Sequence, residues 1–546
     1  MTDTARGHNG LTEFLPKIVT VWREGYSFSD LKADALAGLT VAIVALPLSM
    51  AIAIASGVGP ERGLYTAIVG GFLVSALGGS RFQIGGPAGA FIVLVSACTM
   101  ATGVQGLVLA TFLSGFMLIA AGALRLGTYI KFIPYPVTVG FTAGIGIIIF
   151  SSQIKELFGL TLPGAEPAEI LHKLMALWAA RETVTPAAFG IAALSVAVIM
   201  GLRRWRPHWP GMLIAVVLTA VAAAVLHLPV ETIASRFGAL PNLPPMPALP
   251  DLSGEALTAA APWAFSFALL GAIESLLSAV VADGMSGARH RSNAELVGQG
   301  VANIGSALFG GFCVTGTIAR TATNVRAGSH GPVSGMLHAL FLLAVMVVAA
   351  PLAGYIPLAA LAGVLAVVSW GMIEKEELWT LVRGSRGDAL IVVSTFLLVV
   401  FRDLTEGIMV GFALAGLVFI KRMSEGTALE APEGEEAVQR DDLILYRLHG
   451  PFFFGSAAHV GGVLDRIADR PRRFIIDFGD VPMIDSSGAR SFEVLARKLE
   501  RKGGRLCILG ASPTVRRVLL AQGLREPHVQ YLADLAEAEG EGTSPL

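Results

Sequence analysis

Charged residues are scarce in this chain of 546 residues, where they make up 15% of the sequence against 54% for hydrophobic residues. Soluble domains carry roughly 25% charged residues. The deficit excludes an ordinary soluble protein and predicts a polytopic membrane protein that also has a soluble region. The formal net charge is −1, which gives no reason to expect a nucleic-acid partner.

Cysteine is also scarce. Cys98, Cys313 and Cys507 lie far apart and show neither a disulfide framework nor metal-ligand spacing. A Gly-rich loop ending in Lys-Ser/Thr is missing as well, so the sequence predicts no metal, no cofactor and no enzymatic activity. Residues 1–30 lack the basic and apolar regions of a signal peptide, and we expect the N-terminus to remain in the cytoplasm.

Long apolar segments are plentiful, and fourteen of them predict membrane spans. Several are shorter than the roughly 20 residues that a bilayer requires. Two of these short segments begin at Pro87 and Thr317, each after a glycine. The two halves are offset by about 225 residues, and seven spans per half predict an inverted repeat. The predicted spans are 34–55, 63–79, 87–102, 105–124, 134–152, 186–202, 210–227, 257–282, 293–311, 318–330, 332–353, 357–371, 388–402 and 406–421.

Charge placement orients these spans. With the N-terminus inside, most clusters of Lys and Arg fall on the cytoplasmic side, as the positive-inside bias expects. We therefore predict a multi-pass protein of the inner, cytoplasmic membrane with both termini in the cytoplasm. The clusters are Arg203, Arg204 and Arg206; Arg289 and Arg291; Lys375, Arg383 and Arg386; and Lys421 and Arg422.

Composition also predicts the domain limits. After the last span the chain turns acidic, and from Leu443 strand-like segments alternate with helical ones, around 456–469 among others. This alternation predicts a small α/β domain that is soluble and cytoplasmic. The predicted parts are an N-terminal segment 1–33, a membrane domain 34–423 with repeats 34–227 and 257–423, a linker 424–442, and a soluble domain 443–546.

The stretch from Ile84 to Phe91 breaks the apolar pattern with Gly85, Gly86 and Pro87. Glycine permits backbone angles closed to other residues, and proline suits the first turn of a helix. A helix that begins inside the bilayer presents free N–H groups and the positive end of its dipole to the cavity it faces. We expect an anion-binding helix start at this break.

A second break, from Cys313 to Arg320, lies at the corresponding place in the other half. Two interrupted helices so placed predict the substrate site of a transporter. Arg320 would add a fixed charge that selects anions; alternatively, it reaches water at the membrane edge or bridges helices. Thr315 and Thr317 would supply hydroxyl donors beside it, or else cap the helix.

Glu274 lies in the middle of an otherwise apolar span. A carboxyl group in low-dielectric surroundings favours its neutral form unless a cation or donor compensates it. Its proton occupancy could change with access to either side of the membrane, which is how a proton-coupled carrier works. The alternatives are a structural ion pair with Arg320, which substrate could break, and a buried hydrogen bond.

In the soluble domain, Asp485 and Ser486 follow a strand and open a helix. Asp485 suits the N-cap position. Ser486 is a candidate phosphorylation site, although capping alone also explains the motif.

Three stretches and the terminal domain together resemble the SulP sulfate-permease family, also called solute-carrier family 26. The stretches are Pro60–Thr66, Gly79–Pro87 and Gly316–Thr321, and the terminal domain is similar to STAS domains and anti-sigma-factor antagonists. The resemblance covers almost the whole chain. It implies core and gate domains, an anion held between the starts of the third and tenth helices, elevator-like motion of the core, and a homodimer.

By this resemblance the anion pocket is lined by residues of the two breaks and of the first helix, with Glu274 as the coupling carboxylate. Sodium-coupled bicarbonate relatives have aspartate at that position, so proton coupling is favoured over sodium. Ser486 matches the serine phosphorylated in the anti-sigma-factor antagonists. The implied pocket residues are Leu48, Ile52, Pro87, Ala88, Gly89, Ala319 and Arg320.

The sequence thus predicts secondary active transport of a small anion by proton symport. Sulfate, a dicarboxylate such as fumarate or succinate, and bicarbonate all remain open, because amides and one arginine suit any small anion. The alternatives are sodium-coupled bicarbonate symport, uncoupled exchange or channel-like movement, and a membrane sensor that signals through the STAS domain to a regulatory protein.

Overall fold

A computed structural model of the chain describes residues 12–130, 134–164, 166–167, 169–207, 209–402, 404–430, 439–440, 443–456, 473–534 and 537. The chain forms two compact units, Met1–Phe412 and Ala413–Leu546. The first eleven residues and the helix predicted around 456–469, apart from its first residue, lie outside the described residues.

The first unit is helical, and we number its described α-helices in chain order. Helix α19 continues past the boundary of the unit at Phe412. The helices are α1 Lys17–Glu24, α2 Phe28–Ala55, α3 Pro60–Tyr65, α4 Gly71–Leu77, α5 Ile92–Ala123, α6 Gly127–Ile130, α7 Tyr135–Phe158, α8 Ile170–Ala179, α9 Pro186–Trp205, α10 Gly211–Val225, α11 Ile233–Phe237, α12 Gly254–Ser286, α13 Ser292–Leu308, α14 Ile318–Arg326, α15 Val333–Ala353, α16 Leu358–Met372, α17 Lys375–Gly384, α18 Arg386–Phe401 and α19 Leu404–Glu425.

Each of the fourteen predicted spans corresponds to helical structure. Among the described residues, eight helices are long and apolar enough to cross a membrane. The predicted third and fourth spans form one element, α5, which is divided at Gly103, where φ is 71° and ψ is 179°. A φ in that range favours glycine over residues with a side chain. The second span is α3 joined to α4 by a π-helical turn, Thr66–Gly70.

Small residues set how closely these helices approach. A Cβ atom on Gly115 of α5 would lie 2.6 Å from the carbonyl oxygen of Gly300, and one on Gly300 of α13 would lie 2.5 Å from that of Gly115. The two backbones therefore touch where these glycines face each other, as small residues allow in membrane helices. On the other side of the unit, a Cβ atom on Gly38 of α2 would lie 2.4 Å from the carbonyl oxygen of Ser334 in α15.

The second unit contains the predicted α/β domain. Its sheet has the order β3-β5-β6-β7-β8, with β4 also paired to β5. The pairs β5–β6, β6–β7 and β7–β8 are parallel. Parallel neighbours need a crossover connection, and a helix supplies it between β6 and β7 and between β7 and β8. Strands β3 and β4 lie within the segment predicted as a linker. The elements are β3 Ala428–Glu430, β4 Gln439–Arg440, β5 Leu443–His449, β6 Arg473–Asp477, β7 Arg505–Leu509 and β8 Val529–Leu532, with helices Ser486–Arg501 and Pro513–Ala521.

Candidate functional site

The two predicted breaks meet in the structure. Gly85–Gly86 (β1) and Thr315–Gly316 (β2) form a two-stranded antiparallel bridge, in which Gly85 is opposite Gly316 and Gly86 is opposite Thr315. The N–H of Thr317 extends the pairing by donating to the carbonyl oxygen of Ile84 at 3.0 Å. An antiparallel pairing of the two breaks is what an inverted repeat produces.

A helix begins shortly after each strand of the bridge. Helix α14 begins at Ile318, as predicted, and its N-cap residue Thr317 makes no side-chain cap. After β1 the chain enters a 3-10 turn at Gly89–Phe91 that leads into α5. Pro87 therefore precedes the helix instead of lying in its first turn, because Pro87 and Ala88 still follow the extended path out of β1. First-turn N–H groups have no partner within a helix, so both starts offer donors.

Arg320 is buried beside these helix starts, with 2% of its surface exposed. Its Nη2 donates to Ser49 Oγ on α2 at 3.1 Å and to the carbonyl oxygen of Pro87 at 3.2 Å. Within the described part of the chain, Nε and Nη1 have no hydrogen-bond partner. The alternative of an arginine that reaches water is wrong. The hydrogen bonds to α2 and to the first break do join separate elements, as the helix-bridging alternative predicts. Two donor groups of the guanidinium, Nε and Nη1, nevertheless remain without a partner among the described residues.

Gly86 permits this position of the guanidinium. A Cβ atom at residue 86 would lie 1.7 Å from Arg320 Nη1, a separation that atoms never adopt without displacement. The backbone of β1 and the arginine side chain are therefore in direct contact. The first break and the cation from the second break form one structural feature.

The threonine hydroxyl groups near the bridge serve the backbone. Thr315 Oγ1 donates to the carbonyl oxygen of Gly271 on α12 at 3.2 Å, and Thr317 Oγ1 donates to that of Ile84 at 3.4 Å. Thr321 Oγ1 accepts from the N–H of Ile84 and from Ser278 Oγ, each at 3.1 Å. The predicted helix-capping alternative does not apply to Thr317, and in this conformation both predicted donors hold the bridge in place.

Glu274 lies on the same stretch of α12. It is one turn from Gly271 and one turn from Ser278, which contact β2 and α14 respectively, so the three residues are near one helix face. It is 7% exposed. Among the described residues, no ion pair joins Glu274 to Arg320 or to another cation, and no hydrogen bond engages its carboxyl group. The predicted structural pair is therefore not formed here.

A polar stripe on α13, which the sequence analysis missed, supports both breaks. Glu295 Oε2 accepts from the N–H groups of Gly79 and Ser80 at 2.8 and 2.9 Å, and Oε1 accepts from Gln83 Nε2 at 2.9 Å. These three residues precede β1. The carboxyl group thus fixes the approach to the first break by three hydrogen bonds, and Ser275 Oγ of α12 donates a fourth at 3.0 Å.

The next residues of the stripe fix the second break in the same way. Asn303 Oδ1 accepts from the N–H of Val314 at 3.1 Å, and its Nδ2 donates to the Val314 carbonyl oxygen at 3.0 Å. Gln299 Nε2 donates to the same oxygen. The spacing of Glu295, Gln299 and Asn303, four residues apart, is visible in the sequence and predicts one polar helix face.

The remaining predicted pocket residues lie on α2 and at the two helix starts. Leu48 and Ile52 are buried on α2 next to Ser49, and Ala88 is buried between β1 and the 3-10 turn. Ala319, by contrast, is exposed in the first turn of α14. A Cβ atom on Gly89 would lie 3.1 Å from Ile149 of α7. The helix starts are therefore open at Ala319 and packed against α7 at Gly89.

In the second unit, Ser486 is exposed at the first position of its helix. Asp485 is the N-cap: Oδ1 accepts from the N–H of Gly488 at 2.7 Å, and Oδ2 accepts from that of Phe454 at 3.1 Å. Capping is thus carried by Asp485 and leaves the Ser486 hydroxyl accessible, so phosphorylation of Ser486 stays a prediction.

One cavity in the first unit is distinct from the bridge. It has a volume of about 600 Å³ and lies among α2, α10 and α15, where aliphatic side chains such as Met50, Val216 and Met346 line it. None of the predicted site residues contributes to it. This lining is almost entirely apolar and offers little to an anion, whereas the bridge region holds Arg320 and two helix starts.

Comparisons with known proteins relate almost the whole chain to other proteins. Residues 31–395 match the model of the sulfate permease family, and residues 436–532 match that of the STAS domain. The chain is 38% identical to YvdB of Bacillus subtilis, whose name gives sulfate transport as a provisional activity, over 92% of this chain and 95% of that protein. It is 31% identical to the bicarbonate transporter BicA of Picosynechococcus, over 90% and 91%.

A solved structure has the same fold. That of SLC26A9 superimposes with a TM-score of 0.85 at 18% identity, covering 98% of this chain and 94% of the other. At this identity the match supports the architecture alone. It covers both the helical membrane region and the terminal α/β domain.

Proposed function

The chain belongs to the sulfate permease family, a family of anion transporters and not of enzymes, and from this premise we propose that it carries a small anion across the inner membrane by proton symport. The substrate is sulfate, bicarbonate or a dicarboxylate such as fumarate or succinate. Arg320 and the two helix starts bind the anion, and Glu274 carries the coupling proton.

The buried guanidinium is the single observation that carries this proposal. Arg320 Nε and Nη1 have no hydrogen-bond partner among the described residues, although buried polar groups are nearly always bonded. A buried cation without a counter-charge is costly. An anion beside it offsets that cost, and the N–H groups at the starts of α14 and of the 3-10 turn add donors around the same charge.

Glu274 suits the coupling role because neither a cation nor a donor in the described residues fixes its charge state. A protonated Glu274 adds no charge to the site, whereas an ionised one attracts Arg320 and competes with the anion for it. Binding of an anion and of a proton therefore favour each other, which is the requirement for symport.

The transport movement divides the helices into two groups according to which part of the site they contact. Helices α2, α12, α13 and α14 contact the bridge, the chain beside it or Arg320, while α7 and α16 approach the 3-10 turn at Gly89 through Ile149 and Met372. An elevator-like step would slide the first group, as a core domain, past the second, as part of a gate domain. The homodimer and a regulatory partner of the STAS domain belong to the same proposal.

Uptake into proteoliposomes tests the function. Labelled sulfate, fumarate, succinate and bicarbonate are offered with an imposed pH gradient, a sodium gradient, or neither. We expect accumulation of one of these anions when the outside is acidic. Accumulation driven by sodium alone would contradict proton coupling, uptake that ignores both gradients would favour exchange, and saturable binding without any uptake would favour a sensor.

Glu274→Gln tests the coupling residue. Glutamine keeps the shape of the side chain but cannot release a proton, so we expect the pH gradient to lose its effect on accumulation while anion exchange at equal pH continues. Glu255→Gln, an exposed change on the same helix, is the matched control and should behave like the wild type. Undiminished pH-driven accumulation by Glu274→Gln would show that another group carries the proton.

A further inference from the structure

His338, on α15, is a buried titratable residue that the proposed mechanism does not use. Its side chain is fully buried, with 0% exposure. Within the described part of the chain, neither Nδ1 nor Nε2 has a partner that meets hydrogen-bond geometry, although the backbone of Gly335, one turn earlier on α15, lies close to the ring. A phenylalanine or leucine would fill such a space without leaving two polar atoms unsatisfied, so packing alone does not explain why histidine is present.

The imidazole and strand β1 of the bridge approach helix α4 at the same residue. A Cβ atom on Gly71 of α4 would be 2.8 Å from the carbonyl oxygen of Gly85 and 4.0 Å from His338 Cε1. The ring and the Gly85 carbonyl oxygen therefore both border Gly71, while Arg320 Nη1 contacts the next residue of β1, Gly86. The two unsatisfied buried groups thus lie in the surroundings of consecutive residues of β1.

Arg320 of α14 is the charged residue that contacts β1, the strand next to Gly71. The elements packed most extensively against α15 are α2, α4 and the turn Thr66–Gly70. Neither α4 nor that turn contains a titratable residue. The titratable residues of α2 are Asp30, Lys32 and Asp34, all in its first two turns. Asp30 pairs with His330. Asp34 is engaged elsewhere too: Oδ1 accepts from the N–H groups of His330 and Gly331, and Oδ2 accepts from the hydroxyl group of Tyr26.

We propose that His338 is a second proton-binding residue of the transport site, and that its protonation is linked to the presence of an anion at Arg320. This inference rests on the anion site proposed above. In the empty site, an imidazolium would add a second positive charge beside Arg320 and would be repelled. An anion at Arg320 supplies the compensating negative charge.

Linkage is reciprocal. If a bound anion raises the proton affinity of His338 by some factor, a proton on His338 must raise the anion affinity of the site by the same factor. His338 acts through Arg320 and the bridge without touching the anion, which makes it a positioning residue. Its signature is a pH dependence of anion affinity that survives the loss of Glu274. A histidine that only fills space would produce no such dependence.

The test uses the full-length chain carrying Glu274→Gln, in which the Glu274 carboxyl no longer titrates. The half-saturating concentrations of labelled sulfate and of fumarate are measured by equilibrium exchange between about pH 5.5 and 8.5, the range in which histidine titrates. We expect the half-saturating concentration to fall as the pH falls, by up to about tenfold per pH unit for one linked proton.

His338→Gln, added to Glu274→Gln, should abolish this slope, and His338→Phe should do the same while keeping a ring in the space. His172→Gln, at an exposed histidine, is the matched control and should retain the slope. A flat profile for the Glu274→Gln protein, or an unchanged slope with either His338 variant, would overturn the proposal. A flat profile for the Glu274→Gln protein would overturn the proposal even where neither His338 variant folds.

Failure of the inference is distinguishable from failure of the proposed function. If sulfate and fumarate bind with an affinity that does not depend on pH, the anion site stands and the role of His338 falls. If no anion of the uptake panel binds at any pH, the anion site itself is refuted, and the linkage to His338 is refuted with it.

Discussion

At the scale of single residues, the sequence predicted which side chains matter better than it predicted their partners. Arg320 and Glu274 were identifiable because a charge inside a membrane segment is costly and is seldom kept without a use. Their lack of a mutual ion pair was not predictable. It depends on the relative placement of α12 and α14, which no local pattern encodes.

Arg320→Gln should weaken anion binding strongly. The substitution removes the buried charge and the donors Nε and Nη1, and a hydrogen bond to a charged group contributes about 1.5–3 kcal/mol. That range corresponds to about a 10- to 150-fold rise in half-saturating concentration, which is measured by equilibrium exchange in proteoliposomes. Arg326→Gln, at an exposed position on the same helix, is the control; equal affinities for the two variants would remove Arg320 from the site.

At the scale of elements, the glycines and the periodicity predicted both broken helices and the start of α14. The bridge between β1 and β2 was not predictable, because two residues per strand are too few to show an alternating pattern. The role of α13 was available from its four-residue polar spacing. It was missed because the segment was interpreted as an apolar span, and its amphipathic face was not assigned a partner.

Glu295→Gln tests the supporting role of α13. The carboxyl group accepts four hydrogen bonds, and an amide replaces one acceptor oxygen with a group that only donates. We expect the free energy of unfolding to fall by about 1–3 kcal/mol, measured by denaturant titration in detergent, with weaker anion binding as a consequence. Glu255→Gln should change stability by less than about 0.5 kcal/mol. Wild-type stability for Glu295→Gln would show that these hydrogen bonds are dispensable.

At the scale of the whole molecule, all predicted pocket residues and Glu274 lie in the unit Met1–Phe412, and Ser486 lies in the unit Ala413–Leu546. The composition change after the last span predicted a division of the chain into two parts, but it placed the division at Met423, whereas the two units divide at Phe412. The exact limits depend on packing that composition does not record, since β3 and β4 form strands inside the acidic segment.

A chain that ends at Gly426 tests whether binding and the STAS domain are separable. It keeps every predicted anion-site residue, so its half-saturating anion concentration should stay within about threefold of that of the full chain, as expected for groups that do not interact. Its dimer content, measured by light scattering, is expected to fall if the STAS domain stabilises the homodimer. Loss of anion binding in a monodisperse truncated protein would contradict a self-sufficient site.

The central claim is that the bridged helix starts and Arg320 bind the anion, and anomalous diffraction from crystals grown with selenate, an analogue of sulfate, tests it most directly. Bromosuccinate serves if the uptake panel identifies a dicarboxylate. The account predicts an anomalous peak beside Ala88 and Ala319, from an anion whose oxygen lies within hydrogen-bond distance of Arg320 Nε or Nη1. A peak elsewhere in the membrane domain, with Arg320 still bound only to Ser49 and Pro87, would contradict it.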